Sequence, residues 1–309
     1  MFTYDQKGIQ IAGAELWLDA LRKVSFSFVS HGHADHLKNH LRILATPATA
    51  AFHTLRAKKA ELLPLNFGES LELDGMRIRL YPAGHILGSA MIHIERDGTS
   101  LLYSGDFKLR PSATCEPIDV PHADILITES TYGHPEYVVE QSRDALIEEL
   151  LGFISDCRRG GYTPVVMAYT LGKSQEAMKI LGDRSVSVRV HPAIWQMAEV
   201  YARFGVAFDR CAPWQGAAIA PEEVLIVPPH LAFTRALQFV PRRKTVLLAG
   251  WTHSGHGPRW RTDHRIPLGD HADFNELIEF VGMVRPHKIY TPLGFAGFPG
   301  HLRAAGWDA

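Results

Sequence analysis

At 309 residues, with 46% hydrophobic and 21% charged positions, the chain has the composition of a folded α/β protein built as one large domain or two smaller ones. Its formal net charge of −1 lacks the basic balance of a non-specific nucleic-acid binder, so any polyanion must meet a local basic surface. No run approaches a membrane span, MFTYDQKGIQ lacks the features of a secretory leader, and three scattered cysteines (Cys115, Cys157, Cys211) without a CxxC pair fit reduced thiols in a cytoplasmic protein.

Residues 2–20 alternate weakly, with Gly8 and Gly13 at turns, and predict a hairpin. KVSFSFVS is a β-rich run that ends at a histidine cluster, and DHLKNHLRIL (35–44) has the spacing of an amphipathic helix. ATPATAAFHTLRAKKAE predicts a second helix or a short strand with a helix. SLELDGMRIRLYPAG and AMIHIERDGTSLLYSGDF each predict a hairpin turned at Asp-Gly. ADILITEST is a further strand, and VEQSRDALIEELLGFISDCRR keeps apolar residues at helical spacing. After PVVMAYT (164–170) the chain alternates helix and strand through GKSQEAMKILG, SVSVRVH, AIWQMAEVYARFG and EVLIVPPH, the rhythm of a small doubly wound unit. From residue 244 the first style returns, with TVLLAGW as a strand, DHADFNELIEFVGMV as a helix and KIYTPLG as a strand. A βα unit inserted into a host domain gives this order.

The polar residues at the strand ends carry the chemistry. HGHADH places His31, His33, Asp35 and His36 within six residues. In extended backbone, positions i and i+2 project to one side, so His31 and His33 can share one ion while Asp35 and His36 point to a second. Imidazole with carboxylate suits Zn, Mn or Fe. Downstream, His85 follows a strand and has Gly84 and Gly88 about it, which lets backbone approach closely. Asp106 in SGDF can bridge two cations, and His271 lies in GDHADF just before a helix, with Asp270 as a plausible cap.

HGHADH, then GHILGSA, then SGDF resemble the metallo-β-lactamase superfamily. TEST (128–131), AYTLGKSQE (168–176) and GDHADF add the pattern of its nucleic-acid-processing branch, the β-CASP nucleases, with most similarity to bacterial ligase-associated DNA exonucleases and DNA-repair endonucleases. The resemblance runs over 29–306. It implies an αββα metallo-β-lactamase sandwich (1–170 and 244–309) with an inserted small α/β β-CASP domain (171–243). His31, His33 and His85 would hold one divalent ion, Asp35 and His36 a second, and Asp106 would bridge both, the ions being Mn or Zn, with Fe as a further option. Glu129 would stand behind the site and orient His271 over the scissile phosphate. The second ion would be the weaker, because Leu293 occupies the position where many relatives end the last core strand with a ligating His.

The implied activity is metal-dependent phosphodiester hydrolysis, with hydroxide formed at the metals and steadied by Asp35 attacking phosphorus. DNA-directed relatives tend to have an apolar residue at the Leu293 position, which tilts the substrate toward single-stranded DNA in repair, endo- or exonucleolytically, with a DNA ligase or helicase as a partner and no membrane. The alternatives are an RNA-processing nuclease and a catalytically weak scaffold of the same branch. Ser130, Lys173, Ser254 and Arg259 stand at motif edges as candidate phosphate contacts, with Arg242, Arg243, Lys244, Arg261 and Arg265 as a local basic surface. Trp251 and Trp260 are candidates for base stacking.

Overall fold

The first residues form an antiparallel meander of β1 (Phe2–Asp5), β2 (Gly8–Ile11) and β3 (Leu16–Leu18), one strand more than the expected hairpin. β4 (Phe26–Phe28), β5 (Arg42–Ala45) and β6 (Glu61–Pro64) continue the sheet in parallel, in the order β1-β2-β3-β4-β5-β6. The computed structural model describes residues 1–57, 59–250 and 262–309. Between β5 and β6, α1 (Pro47–Arg56) starts at Thr46, whose side chain accepts from the Thr49 amide, with Pro47 in the first turn where its missing N–H costs nothing.

The helix expected over 35–44 does not form. Residues 35–40 are irregular, and Ile43 and Leu44 are fully buried in β5. A parallel strand is covered on both faces, so its apolar run has no alternation that would distinguish it from a helix. Burial between β4 and β6 decides for the strand.

The second sheet opens with β7 (Ser70–Leu73), β8 (Met76–Pro82), β9 (Ala90–Arg96) and β10 (Thr99–Tyr103). Both Asp-Gly turns are as expected. Asp74 and Gly75 have φ of 50° and 71°, Asp97 and Gly98 of 52° and 76°, the left-handed pair that matches strand twist. β11 (Ile125–Ser130) adds in parallel to β10.

Residues Glu136–Asp270 form a compact unit of their own. It contains α2 (Arg143–Arg159), β12 (Thr163–Met167), α3 (Lys173–Asp183), β13 (Ser187–Val190), α4 (Pro192–Arg203), β14 (Cys211–Pro213), β15 (Glu223–Val227), β16 (Arg243–Leu248) and β17 (His264–Ile266). Its sheet is parallel throughout, in the order β14-β13-β15-β12-β16-β17, with an apolar core on each face. The unit begins earlier and ends later than the 171–243 insert expected from the sequence. β12 lies at its centre, between β15 and β16, so the strands at 164–170 and from 245 both belong here rather than to the host. An all-apolar strand carries no mark of which sheet it joins.

The other unit, Met1–Pro135 with His271–Ala309, is completed by α5 (Phe274–Val284), β18 (Lys288–Gly294) and α6 (Phe298–Ala304). The cap of α5 is Asp273 and not Asp270. Asp273 accepts from the Glu276 amide and Glu276 reaches back to the Asp273 amide. β18 pairs in parallel with β11, giving the order β18-β11-β10-β9-β8-β7. Phe26, Phe28 and Leu44 of the first sheet share one core with Ile78, Ile92 and Leu101 of the second. On the second sheet's other face, Met91, Leu102 and Leu126 pack with Leu277 and Phe280 of α5 and Leu302 of α6. No helix among the described residues is long and apolar enough to cross a membrane.

One buried histidine ties this unit's stability to pH. His40 Nδ1 accepts from the Val24 amide at 3.3 Å, and burial lowers its pKa to about 4. The unfolded chain, with an ordinary histidine near 6.5, therefore binds more protons between pH 4 and 6.5. Stability present above 6.5 should be lost as pH falls through this window, by up to about 3 kcal/mol from this one group. His40→Asn, which keeps an acceptor near Nδ1, should flatten the slope in urea titrations run at pH 4, 5 and 6.5.

Candidate metal centre

Every side chain of the cluster leaves the end of a strand or the start of a helix. β4 runs into 30–36, the β8–β9 connection supplies His85, β10 leads to Asp106, β11 carries Glu129, and His271 precedes α5. Gly84 permits the close approach at His85. It has φ of 74°, and a Cβ there would lie 2.4 Å from the Lys108 carbonyl oxygen.

His31, His33, His85 and Asp106 each offer a ligand atom, and all four lie within 4.8 Å of one another. His33 Nδ1 is 3.0 Å from His31 Nε2 and 3.1 Å from His85 Nε2. Asp106 Oδ2 is 3.5 Å from His31 Nε2, 3.5 Å from His36 Nε2 and 3.9 Å from His85 Nε2. His36 Nε2 is also 3.8 Å from Asp35 Oδ2, whose side chain is 78% exposed. The carboxylate of Asp106 thus stands between the two ligand groups expected from the sequence.

The hydrogen bonds behind the cluster set a tautomer that suits a cation. Ser30 Oγ donates its one proton to Asp19 Oδ2 at 2.6 Å, so it accepts from His31 Nδ1–H at 2.9 Å. His31 Nε2 then carries its lone pair toward His33 and Asp106. Burial, with the neighbouring His36 and His85, pushes the His31 pKa well below its usual value and keeps the ring neutral. For His36, burial alone would lower the pKa, but Asp19 and then Asp106 outweigh it and hold the pKa well above the usual value. Burial would raise Asp106, yet His36, His271 and His31 keep its carboxyl well below the ordinary range. The neutral His31 imidazole with its lone pair turned inward, beside the ionised Asp106 carboxylate, belongs to a donor set that suits Zn, Mn or Fe, and His36 would give up its proton to join it.

Three residues absent from the sequence reading hold this arrangement. Buried Asp19 accepts from the Ser30 amide at 2.8 Å and Tyr103 Oη at 2.9 Å, and its Oδ2 lies 2.9 Å from His36 Nδ1. It has a φ of 41°, in the left-handed region, and its carboxylate meets the start of the HGHADH loop at Ser30. A lone Asp, Ser or Tyr has no spacing that would flag it. Asp19→Asn should weaken metal binding about 10–100-fold, the usual cost of losing a partner behind a ligand, measured by chelator competition on the folded variant.

Glu129 and His271 lie side by side. His271 Nδ1 is 3.1 Å and 3.3 Å from the two Glu129 oxygens, and Glu129 Oε1 also accepts from the Phe107 amide at 2.8 Å. The His271 side chain is 18% exposed and 3.9 Å from Asp106 Oδ2. Leu293 is the register partner of Glu129 and is exposed, with no metal-ligating atom.

Two expected phosphate contacts are corrected. Ser130 is fully buried and its Oγ donates to the Leu293 carbonyl at 2.9 Å. Lys173 is 1% exposed, with Nζ 2.5 Å from Glu176 Oε2 and 2.9 Å from the Gly269 carbonyl. Both hold protein rather than face solvent. Arg243 likewise donates to the carbonyls of Leu237 and Val240. Ser254, Arg259, Arg261, Trp251 and Trp260 lie outside the described residues.

No family model matches the chain. Among curated proteins, 98% of the chain is 37% identical to a "Probable DNA ligase" of Opitutus terrae, covering 30% of that protein. An "RNase J-like protein" of Methanocaldococcus jannaschii is 30% identical over 52% of the chain and 44% of its own length. The "Cleavage and polyadenylation specificity factor 73" of Drosophila melanogaster is 34% identical over 42% of the chain and 19% of its own length. The chain spans less than half the length of each of these relatives.

Proposed function

We propose that this chain, which belongs to the β-CASP branch of the metallo-β-lactamase superfamily, is a metal-dependent nuclease that hydrolyses phosphodiester bonds of single-stranded DNA. The observation that carries this reading is the convergence of three imidazoles and Asp106 within 4.8 Å, with His271 on Glu129 at its edge. We read the first unit as the αββα sandwich of that superfamily and Glu136–Asp270 as its β-CASP insert. His31, His33, His85 and Asp106 would hold one divalent ion, and His36 and Asp35, with Asp106, a second. Such ions, of Mn or Zn type, lower the pKa of water and screen phosphate charge.

The chain's own residues do the rest. Asp106 joins the two ligand groups and fixes their separation. Asp35, the exposed carboxylate of the set, orients the attacking water. Glu129 accepts the His271 Nδ1 proton and sets the ring so that Nε2, on the opposite side, meets substrate. There a protonated His271 donates to the leaving oxygen, a contribution of about 10²–10⁴-fold for a placed general acid.

The choice of DNA rests on Leu293 in place of a ligating His and on a relative named as a DNA ligase. The same name supports action beside a ligase. A second reading, RNA cleavage, is favoured by the relatives named RNase J-like and cleavage and polyadenylation factor. Matched DNA and RNA single strands, circular and end-labelled linear, incubated with the protein in Mn²⁺, Zn²⁺ or Mg²⁺ test both. Faster cutting of DNA is expected. Faster cutting of RNA would move the assignment to the second reading, and no cutting of either would remove the activity.

A further inference from the structure

A row of partly exposed rings begins beside Glu129. β18 ends against β11, with Ser130 in register with Gly294, and the Phe295 amide donates to the Ser130 carbonyl at 2.8 Å. Gly294 makes this approach possible. Its φ is 105°, and a Cβ there would lie 2.4 Å from the Ser130 carbonyl carbon. The backbone of Phe295 is therefore fixed to the residue that follows Glu129, the carboxylate that holds His271. Phe298, three positions on, turns fully into the core, whereas the Phe295 ring stays 36% exposed.

That ring is supported from behind. His134 meets it edge-on at 5.0 Å and 64°, His301 meets His134 at 6.1 Å and 81°, and Phe274 meets His301 at 5.2 Å and 80°. Phe274, at the far end of the row, is the third residue after His271, and Tyr132, two residues before His134, packs 5.8 Å from the His271 ring. Adjacent strands lie about 5 Å apart, so the Phe295 backbone stands one strand spacing from Ser130, the neighbour of the Glu129 that holds His271. The His134 ring lies edge-on against the Phe295 ring. A protein partner held by apolar burial would need a far larger patch.

We infer that Phe295, backed by His134, is a stacking platform for a nucleobase flanking the scissile phosphate, a subsite that rests on the nucleic-acid reading above. A phenyl face takes any base, because every base offers a π-face, so the subsite adds affinity and fixes the strand's path without reading sequence.

The test separates binding from cutting. Single-stranded oligonucleotides carrying 2-aminopurine at successive positions are titrated with the full chain in EDTA, and cleavage in Mn²⁺ is followed separately. With wild-type protein, 2-aminopurine next to the cleaved bond should be quenched on binding. Phe295→Leu, which keeps apolar bulk and loses the π-face, should abolish that quench and bind about five- to a hundred-fold more weakly, and Phe295→Tyr should restore both. An abasic nucleotide at that position should weaken wild-type binding and leave Phe295→Leu unchanged. An undiminished quench in Phe295→Leu, or an abasic penalty equal in both proteins, would overturn the platform. So would failure of the oligonucleotides to bind. Binding with a Phe295-dependent quench but no cleavage would keep the platform and overturn the hydrolytic reading alone.

Discussion

Asp106→Asn protein should retain its fold, lose metal, and cut nucleic acid on the order of 10³-fold more slowly or worse, beyond the 10–100-fold typical of a partner one step behind the ligands. The expectation follows from position. Asp106 Oδ2 is 3.5 Å from both His31 Nε2 and His36 Nε2 and 3.9 Å from His85 Nε2, so one carboxylate serves both ligand groups. The amide is nearly the same size but would bring no negative charge to the cations proposed there. His33→Ala should behave alike, since its Nδ1 lies 3.0–3.1 Å from the two other imidazoles. Asp35→Ala should differ. That carboxylate is 78% exposed and outside the four-residue cluster, so one ion should remain while turnover falls. Metal counted by mass spectrometry on protein purified without chelator, alongside strand cleavage, distinguishes the cases. Wild-type cleavage by folded Asp106→Asn or His33→Ala would remove the chemical basis of the proposed function, and a wild-type chain without metal would favour a scaffold.

These candidate ligands were legible because each sits in a short motif near a strand end, where spacing alone suggests how side chains group. HGHADH puts His31 and His33 two residues apart, and the structure brings their rings together through a bend after β4 rather than through extended strand. The residues behind them were not legible. Asp19, Ser30 and Tyr103 act one at a time, from three separated strands or strand ends, and their order in the chain holds no period. The helix expected at 35–44 failed for a related reason. LRIL is apolar enough to be buried either way, and the choice was made by β4 and β6, which the local sequence does not contain. The unit boundary moved because β12 and β16 pair with each other, a long-range fact. Lys173 misled most. A lysine after AYTLG reads as a candidate phosphate contact, and only the fold reveals that it is buried together with Glu176.

Lys173→Met should destabilise the second unit by about 3 kcal/mol, a large effect for one substitution. Lys173 is 1% exposed and Glu176 2%, so the pair has been taken wholly out of water. Removing one partner of such a pair costs about 3–5 kcal/mol, because the remaining charge keeps its desolvation and loses its counter-ion. Here Arg143 still contacts Glu176 Oε1 at 3.0 Å, with a side chain 25% exposed, which draws the loss to the lower end. The Gly269 carbonyl, which accepts from Nζ at 2.9 Å, loses that donor as well. Lys173→Met with Glu176→Leu removes both charges and should be less destabilised than Lys173→Met alone, since an apolar pair of similar volume carries no desolvation penalty. Thermal unfolding of the full chain, fitted for two transitions, should place the single variant's shift in one of them, at roughly 10 °C. A shift of only a degree or two would mean that Lys173 reaches water after all. A double variant worse than the single would mean that the pair contributes more than its burial costs.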